Sequence, residues 1–498
     1  MTNSGGGGVA ASSFVSSTFR RLYAGEVILA AALVAWRIGD RSFWLDEAYT
    51  WSTVDRSAPS LISLTAREEA YQILHQLLLW PWARISTDEW WLRLPSAVAF
   101  VACVALVVAI GRRWFDPAVG LVAGALLALS GFAISLGQEA RSYPFAMLFA
   151  TAAVGAFVDA NRNPSPRAQN RWIVLAALAV WMHGFAVFAI VAPVAVLGCF
   201  APWSEQLPRW RRSLVRVACA VAVPLLLPLV QTDSGQVYSF VEDLSLRSVA
   251  DVVFSVLGRS GAPAVVLGFA SLLALGRLRA ADGARAERAA LWAVVAGPPV
   301  ALGVASVVQP VLLDRYLVTV LPSLCLLIAD LVVAFRVEQV RRAAIAVVVV
   351  AAAVGAVRWE RGGPLEDWRG ATRLLAERAA ADDALVFSTD EGRIGVEYYV
   401  RPGSATARLA TDGPEPAWPE GPWGGFRTGD QVPESLPDAV VRGLAAAGPA
   451  RLWLVVAKSP RGTESRLVAS FDGYAIASRH EFEGITVVLL HRGDTPQQ

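Results

Sequence analysis

Apolar residues run in blocks of about twenty as far as residue 358, and polar residues gather between the blocks. A helix needs roughly 20 apolar residues to cross a bilayer. The blocks therefore predict spans near 23–38, 92–111, 118–136, 143–159, 214–230, 261–276, 289–308, 316–335 and 342–357. A longer apolar block, 171–200, is broken by His183 and Gly184 and reads as two short or tilted helices. Arginines recur between alternate blocks: Arg20/Arg21, Arg112/Arg113, Arg162/Arg167/Arg171, Arg209/Arg211/Arg212, Arg277/Arg279/Arg285/Arg288 and Arg336/Arg341/Arg342. Basic residues collect in cytoplasmic loops. If 171–200 counts as two spans, every cluster falls on the cytoplasmic side, with the N-terminus. The total is then about eleven spans.

After Arg358 the period changes. "EDWRGATRLLAERAAADDALVFSTDE" reads as an amphipathic helix from about Asp367 to Ala380 and a strand at 384–388. "RLWLVVA" and "GITVVLL" read as further strands, with Gly/Pro-rich turns at about 403–433. The fold class expected is an α-helical polytopic membrane protein with a small C-terminal extracytoplasmic α/β domain. The expected divisions are a disordered cytoplasmic tail (1–22), a membrane domain (23–358) with a long first outer loop (39–91), and the outer domain (359–498).

Composition agrees. The 498 residues are 55% hydrophobic and 17% charged, against about a quarter charged in soluble chains. A net charge of +2 gives no sign of a nucleic-acid partner. Cys103, Cys199, Cys219 and Cys325 lie singly in or beside apolar blocks, without a CxxC pair, and read as small packing residues.

The ionisable residues outside the basic clusters then sort to the outer face. Asp46, Glu47, Arg67, Glu68, Glu69 and His75 lie in the first loop. Glu139, Arg141 and Tyr143 follow, then His183, then Asp314, Arg315 and Tyr316. A coupled transporter would place such groups near the midplane; here they stand at the outer boundary, as a reaction or binding event there requires. "YQILHQLLLWPW" places Tyr71, Leu74, Leu78 and Trp82 at helical spacing, and suits a helix on the membrane surface ending at Pro81, or one that pads the bundle. Each residue also has a structural reading. Asp46 could be an N-cap, Glu139 and Arg141 could pair only with each other, and Arg315 could snorkel at a helix end. Nothing distinguishes His480 and His491 from surface residues.

"FWLDEAYTWS", "EWWLRLPSAVA", "GQEARSYPFAML" and "DRYLVTVLPSLCLL" follow in an order that resembles the GT-C glycosyltransferases. The likeness is to the protein O-mannosyltransferase and aminoarabinose-transferase group (glycosyltransferase family 39 and relatives), especially its actinobacterial members. "EDWRGA" strengthens it. The resemblance implies the GT-C fold and a sugar taken from a polyprenyl-phosphate carrier to an acceptor on the extracytoplasmic side. It also implies a catalytic base in the first outer loop, where Asp46 matches by its place in the Asp-Glu pair. Relatives often carry an acid followed by "HGLYYLLLHPW"; "EEAYQILHQLLLWPW" departs from that, with Glu69 where an Asp is usual, which bears on sugar and acceptor choice.

The chemistry is consistent with those residues. A carboxylate such as Asp46 can accept the acceptor hydroxyl's proton as the sugar C1–O bond breaks, and aromatic neighbours offer it an apolar setting. A lipid-phosphate leaving group needs positive charge, and the guanidinium fork is bidentate. Arg141 and Arg315 suit that role, with Glu47, Glu69, His75, Glu139, Tyr143, His183 and Tyr316 as further substrate contacts. One base without a second nucleophile suits single displacement with inversion. Mannose and arabinofuranose are the sugars expected, and a glycan, lipoglycan or protein the acceptor. No cofactor is predicted; a divalent ion between Asp46 and another outer-face acid, Glu69 for one, stays open. The competing functions are a lipid-linked sugar flippase, which needs no base, and a non-catalytic scaffold.

Overall fold

A computed structural model describes residues 6–67, 70–199, 201–227, 244–258, 261–426, 435–457, 459 and 462–493. The chain begins with α1 (Gly6–Ala35), α2 (Leu45–Val54), α3 (Ala58–Arg67) and α4 (Ile73–Ala83). Next come α5 (Glu89–Trp114), α6 (Pro117–Ala128), α7 (Gly131–Gly137), α8 (Tyr143–Arg162), α9 (Pro166–Met182) and α10 (Ala186–Val191). Helices α11 (Trp203–Leu226), α12 (Leu246–Gly258), α13 (Gly261–Ala274), α14 (Arg285–Ala305), α15 (Leu321–Val333) and α16 (Glu338–Arg361) complete the apolar part.

The chain divides into two compact units: Met1–Ile38, Thr65–His75 and Arg93–Gly362 in one, Gly39–Leu64, Gln76–Leu92 and Gly363–Gln498 in the other. Two pieces of the long first loop thus group with the C-terminal residues. Among the described residues six helical segments are long and apolar enough to cross a membrane, and a seventh if α6 and α7 count as one. The remaining expected spans fall on α1, on α9 and α10, and on α11, beyond which 228–230 lie outside the described residues. Helix α1 begins at Gly6, inside the stretch expected to be disordered; extending a nucleated helix costs far less than starting one.

In the first unit the expected span 118–136 is a pair of helices bent by 63°. Ser130 caps α7 by accepting from the Ala133 N–H, and Gly131 lies so close to α16 that a Cβ would stand 2.5 Å from the Gly355 carbonyl oxygen. Close approach and cap together set the bend. Helix α12 was not legible as an apolar block, because Arg247 and Asp251 interrupt it and pair across one turn. Asp330 is a buried charge inside α15. Arg288 holds it bidentately at 2.7 and 2.9 Å, and Arg277 adds a bond at 3.1 Å. Such pairing offsets the desolvation of a charge in an apolar span. Cys103 and Cys325 are buried as expected of packing residues, whereas Cys219 is exposed on α11; its side of that helix is not packed on protein.

The second unit adds α17 (Trp368–Arg378), β1 (Ala384–Phe387), α18 (Asp390–Tyr399) and a sheet completed by β2 (Pro416–Trp418), β3 (Arg451–Ala457), β4 (Tyr474–Phe482) and β5 (Ile485–Arg492). The strand order is β2-β1-β3-β5-β4, with β1 parallel to β2 and β3, and β5 antiparallel to β3 and β4. Asp367 caps α17 by accepting from Gly370, as Asp does at N-caps. Helix α2 packs on this domain: Ala48 and Tyr49 meet Ile394 of α18 and Phe426.

Helix α4 has its sides reversed from a soluble amphipathic helix. Gln72, just before it, and His75, Gln76 and Leu79 are buried, while Leu77 is 40% exposed. It also runs through Pro81 to Ala83 rather than ending there, since a proline in the last turn removes only one helical hydrogen bond.

Candidate active site

The first unit holds seven of the predicted residues: His75, Glu139, Arg141, Tyr143, His183, Arg315 and Tyr316. Arg141 comes from the turn between α7 and α8 and Tyr143 opens α8, and the sequence "GQEARSY" shows why that turn holds. Gln138 donates to the Trp36 carbonyl at 2.9 Å and accepts from the Trp359 indole at 2.8 Å. The Arg141 N–H bonds the Glu139 carbonyl at 2.8 Å, and the Arg141 carbonyl accepts from Ser96 at 2.8 Å. Ser142 reaches Gln72 at 3.3 Å. Glu139, Arg141 and Tyr143 are all buried.

His183 stands at the break between α9 and α10, where the sequence placed it. Its N–H closes α9 on Ala179, and the Gly184 N–H turns instead to the Tyr71 carbonyl at 2.7 Å. A Cβ at Gly184 would lie 3.3 Å from the Tyr71 Cβ, so glycine permits this close approach. Arg315 and Tyr316 are presented by a 3-10 turn, Asp314–Val320. Asp314 supports that turn rather than the site: it accepts from the Arg315 N–H at 2.7 Å and from the Ser255 hydroxyl of α12.

Around His183 the rings of Tyr71, Tyr143, Tyr316 and Phe185 stand with centroids 5.5, 5.2, 5.3 and 5.7 Å away. Phe145 is 5.9 Å from His75, and the Arg141 guanidinium lies 5.8 Å from the Tyr143 ring. Burial first, then the guanidinium of Arg141, hold both imidazoles at a pKa of about 3, well below 6.5. His183 adds to the effect on His75, and Arg315 to that on His183. Both histidines are therefore neutral at any ordinary pH. Neither ring nitrogen of His75, nor Nε2 of His183, has a hydrogen-bond partner among the described residues. Buried polar atoms left in that state cost about 1–3 kcal/mol each, and a bound ligand can recover that. Tyr71 and Phe185 were missed from the sequence; Tyr71 stands four residues before His75, a spacing that signals one helical face.

Asp46 and Glu47 belong to the second unit, in the first turn of α2. Asp46 is not the N-cap: Trp44 occupies that position and supplies no side-chain capping bond. Both acids sit at the positive end of the helix dipole, which stabilises negative charge. Asp46 is half-buried, whereas Glu47 is 1% exposed, so of the two Asp46 is the one open to a reactant. Glu69 lies outside the described residues. Among the described residues no three His, Cys, Asp or Glu side chains converge in a way that could hold a metal ion.

Residues 73–231 match the family model described as dolichyl-phosphate-mannose-protein mannosyltransferase. Among solved structures, ArnT from Cupriavidus metallidurans bound to undecaprenyl phosphate is similar at a TM-score of 0.55 and 11% identity. In the apo state it is similar at 0.53 and 13%. Each comparison covers 95% of this chain and 98% of that one. No curated protein sequence matches. At these identities the likeness concerns the fold, and the fold is that of the GT-C membrane glycosyltransferases.

Proposed function

We propose that this protein is a polyprenyl-phosphate-sugar-dependent glycosyltransferase that moves mannose or arabinofuranose to a cell-envelope glycan, lipoglycan or protein on the extracytoplasmic side. The arginine distribution supports a cytoplasmic N-terminus and an outer C-terminal domain. The observation that carries the reading is the cluster of Arg141 and Arg315 around two buried, neutral, hydrogen-bond-deficient histidines among tyrosines. It has the donors and the positive charge that a lipid phosphate requires, and aromatic faces for a sugar ring or isoprenoid.

In this mechanism Asp46 accepts the proton of the acceptor hydroxyl while that oxygen forms a bond to sugar C1. The C1–O bond to phosphate breaks, its electron pair stays on the phosphate oxygen, and the arginines stabilise the added charge. The proton then leaves Asp46 for solvent. A single displacement of this kind inverts C1.

Replacing Asp46 by Asn tests the reading. With radiolabelled polyprenyl-phosphate mannose or arabinofuranose and a cell-envelope fraction as acceptor, transfer should fall at least about 100-fold, the order expected for a lost general base, while donor binding persists. Full transfer by the variant removes Asp46 as base. Donor movement across vesicles without any transfer, in the native protein, would instead identify a flippase.

A further inference from the structure

We infer that the C-terminal domain is the fixture that sets the position of Asp46, with Glu366, Arg369 and Tyr399 as its positioning residues. The inference rests on Asp46 being the base, and it gives the outer domain a task within the reaction.

The contacts fall on the backbone immediately ahead of Asp46. Arg369 donates to the carbonyl oxygens of Gly39 at 3.1 Å and Asp40 at 2.8 Å, and its N–H bonds the Ser42 hydroxyl at 3.1 Å. The Tyr399 hydroxyl accepts from the Phe43 N–H at 2.8 Å and lies 3.0 Å from the Ser42 hydroxyl. Glu366 accepts from the Leu45 N–H at 2.8 Å, so a carboxylate 321 residues away satisfies an open N–H in the first turn of a helix whose N-cap, Trp44, gives no capping bond. The same Glu366 oxygen is held by the Trp368 indole at 2.7 Å, and the Trp368 ring is fully buried.

These grips are tied to one another. Glu89 accepts from both Arg369 and Tyr399. Burial first, then the Glu89 carboxylate, push the Tyr399 phenol well above its ordinary pKa, so it keeps the proton it donates. Tyr398 packs its ring against Phe43, ahead of α2, at 4.5 Å and against Trp51, within it, at 5.3 Å. Four backbone groups between residues 39 and 45 are therefore fixed by three side chains of the domain. A rigid mount is what a general base requires, because displacement of about 1 Å from the productive geometry can cost on the order of 100-fold in rate.

The test uses the full-length protein in lipid nanodiscs with radiolabelled polyprenyl-phosphate mannose or arabinofuranose as donor and a cell-envelope fraction as acceptor. Glu366→Ala and Tyr399→Phe should lower kcat by about 10- to 100-fold with donor KM within about twofold. Glu366→Gln, which keeps an acceptor oxygen, should recover much of the loss. Wild-type kcat in both Glu366→Ala and Tyr399→Phe overturns the inference. So does a fall in kcat, donor affinity and thermal midpoint together without rescue by Gln, which marks a merely structural role. Asp46→Asn run beside them separates the two readings: if it is inactive while Glu366→Ala is normal, only the positioning role fails. If Asp46→Asn is fully active, the base assignment fails and takes this inference with it.

Discussion

Acid should destabilise this protein through His75 and His183. Both are buried at 0% and 2% exposure and stay neutral in the fold down to about pH 3. In the unfolded chain each returns to about 6.5 and takes up a proton as pH falls. The unfolded state then binds protons that the folded state excludes, so stability is lost between about pH 6.5 and pH 3. Between pH 7 and pH 5 one histidine with these two values contributes about 2 kcal/mol of lost stability. The two together contribute about twice that, because neither binds a proton in the fold over this range. The assay is thermal unfolding of the purified protein at pH 7 and pH 5, for the wild type and for His75→Gln/His183→Gln. Glutamine keeps hydrogen-bonding capacity and cannot titrate, so the wild type should lose clearly more of its midpoint than the double variant. An equal loss in both refutes the reasoning. A smaller loss in the wild type would mean that the imidazoles are charged in the fold, which the neighbouring guanidiniums oppose.

Arg141→Gln should raise donor KM about 10- to 100-fold, since a hydrogen bond to a charged group contributes about 1.5–3 kcal/mol, with Arg141→Lys between; steady-state kinetics on the labelled donor decide it. Arg393 and Glu397 form a fully buried ion pair at 2.9 Å, and Arg393 also donates to the carbonyls of Gly421 and Pro422. Glu397→Leu alone should cost about 3–5 kcal/mol by leaving a buried charge unpaired, whereas Arg393→Met/Glu397→Leu should cost less; denaturation midpoints of the full-length protein measure both, and equal costs contradict the reading.

What was legible in the sequence followed from periodicity. Strand β3 coincides with "RLWLVVA", and helix α17 begins one residue after the acid that caps it. The break at His183 was readable because a single helix through 171–200 would have put one arginine cluster on the wrong side. Where periodicity fails, a contact at long range decides the geometry. The bend before α7 depends on Gly131 meeting Gly355, and the charge of Asp330 inside α15 is tolerated because Arg288 and Arg277 reach it from other segments. No local pattern encodes such pairs.

The same distinction explains the site. Arg141, His183 and Arg315 stand in short motifs at breaks between helices, so their residue types and their place at helix ends could be read in advance. Their electrostatic state could not. An isolated histidine at pH 7 is poised to titrate; only burial, with Arg141 beside both and Arg315 beside His183, makes His75 and His183 fixed, neutral hydrogen-bonding groups. Asp46 shows the converse. Its type and its place in the Asp-Glu pair could be read, yet the setting of the chain ahead of it could not: the residue at the cap of its helix is a tryptophan without a capping bond, and the Leu45 N–H is met by Glu366. The "EDWRGA" motif thus has a physical reason to accompany the Asp-Glu pair. Changing Glu366 without changing the loop ahead of Asp46 leaves the Leu45 N–H without its acceptor at the residue next to Asp46.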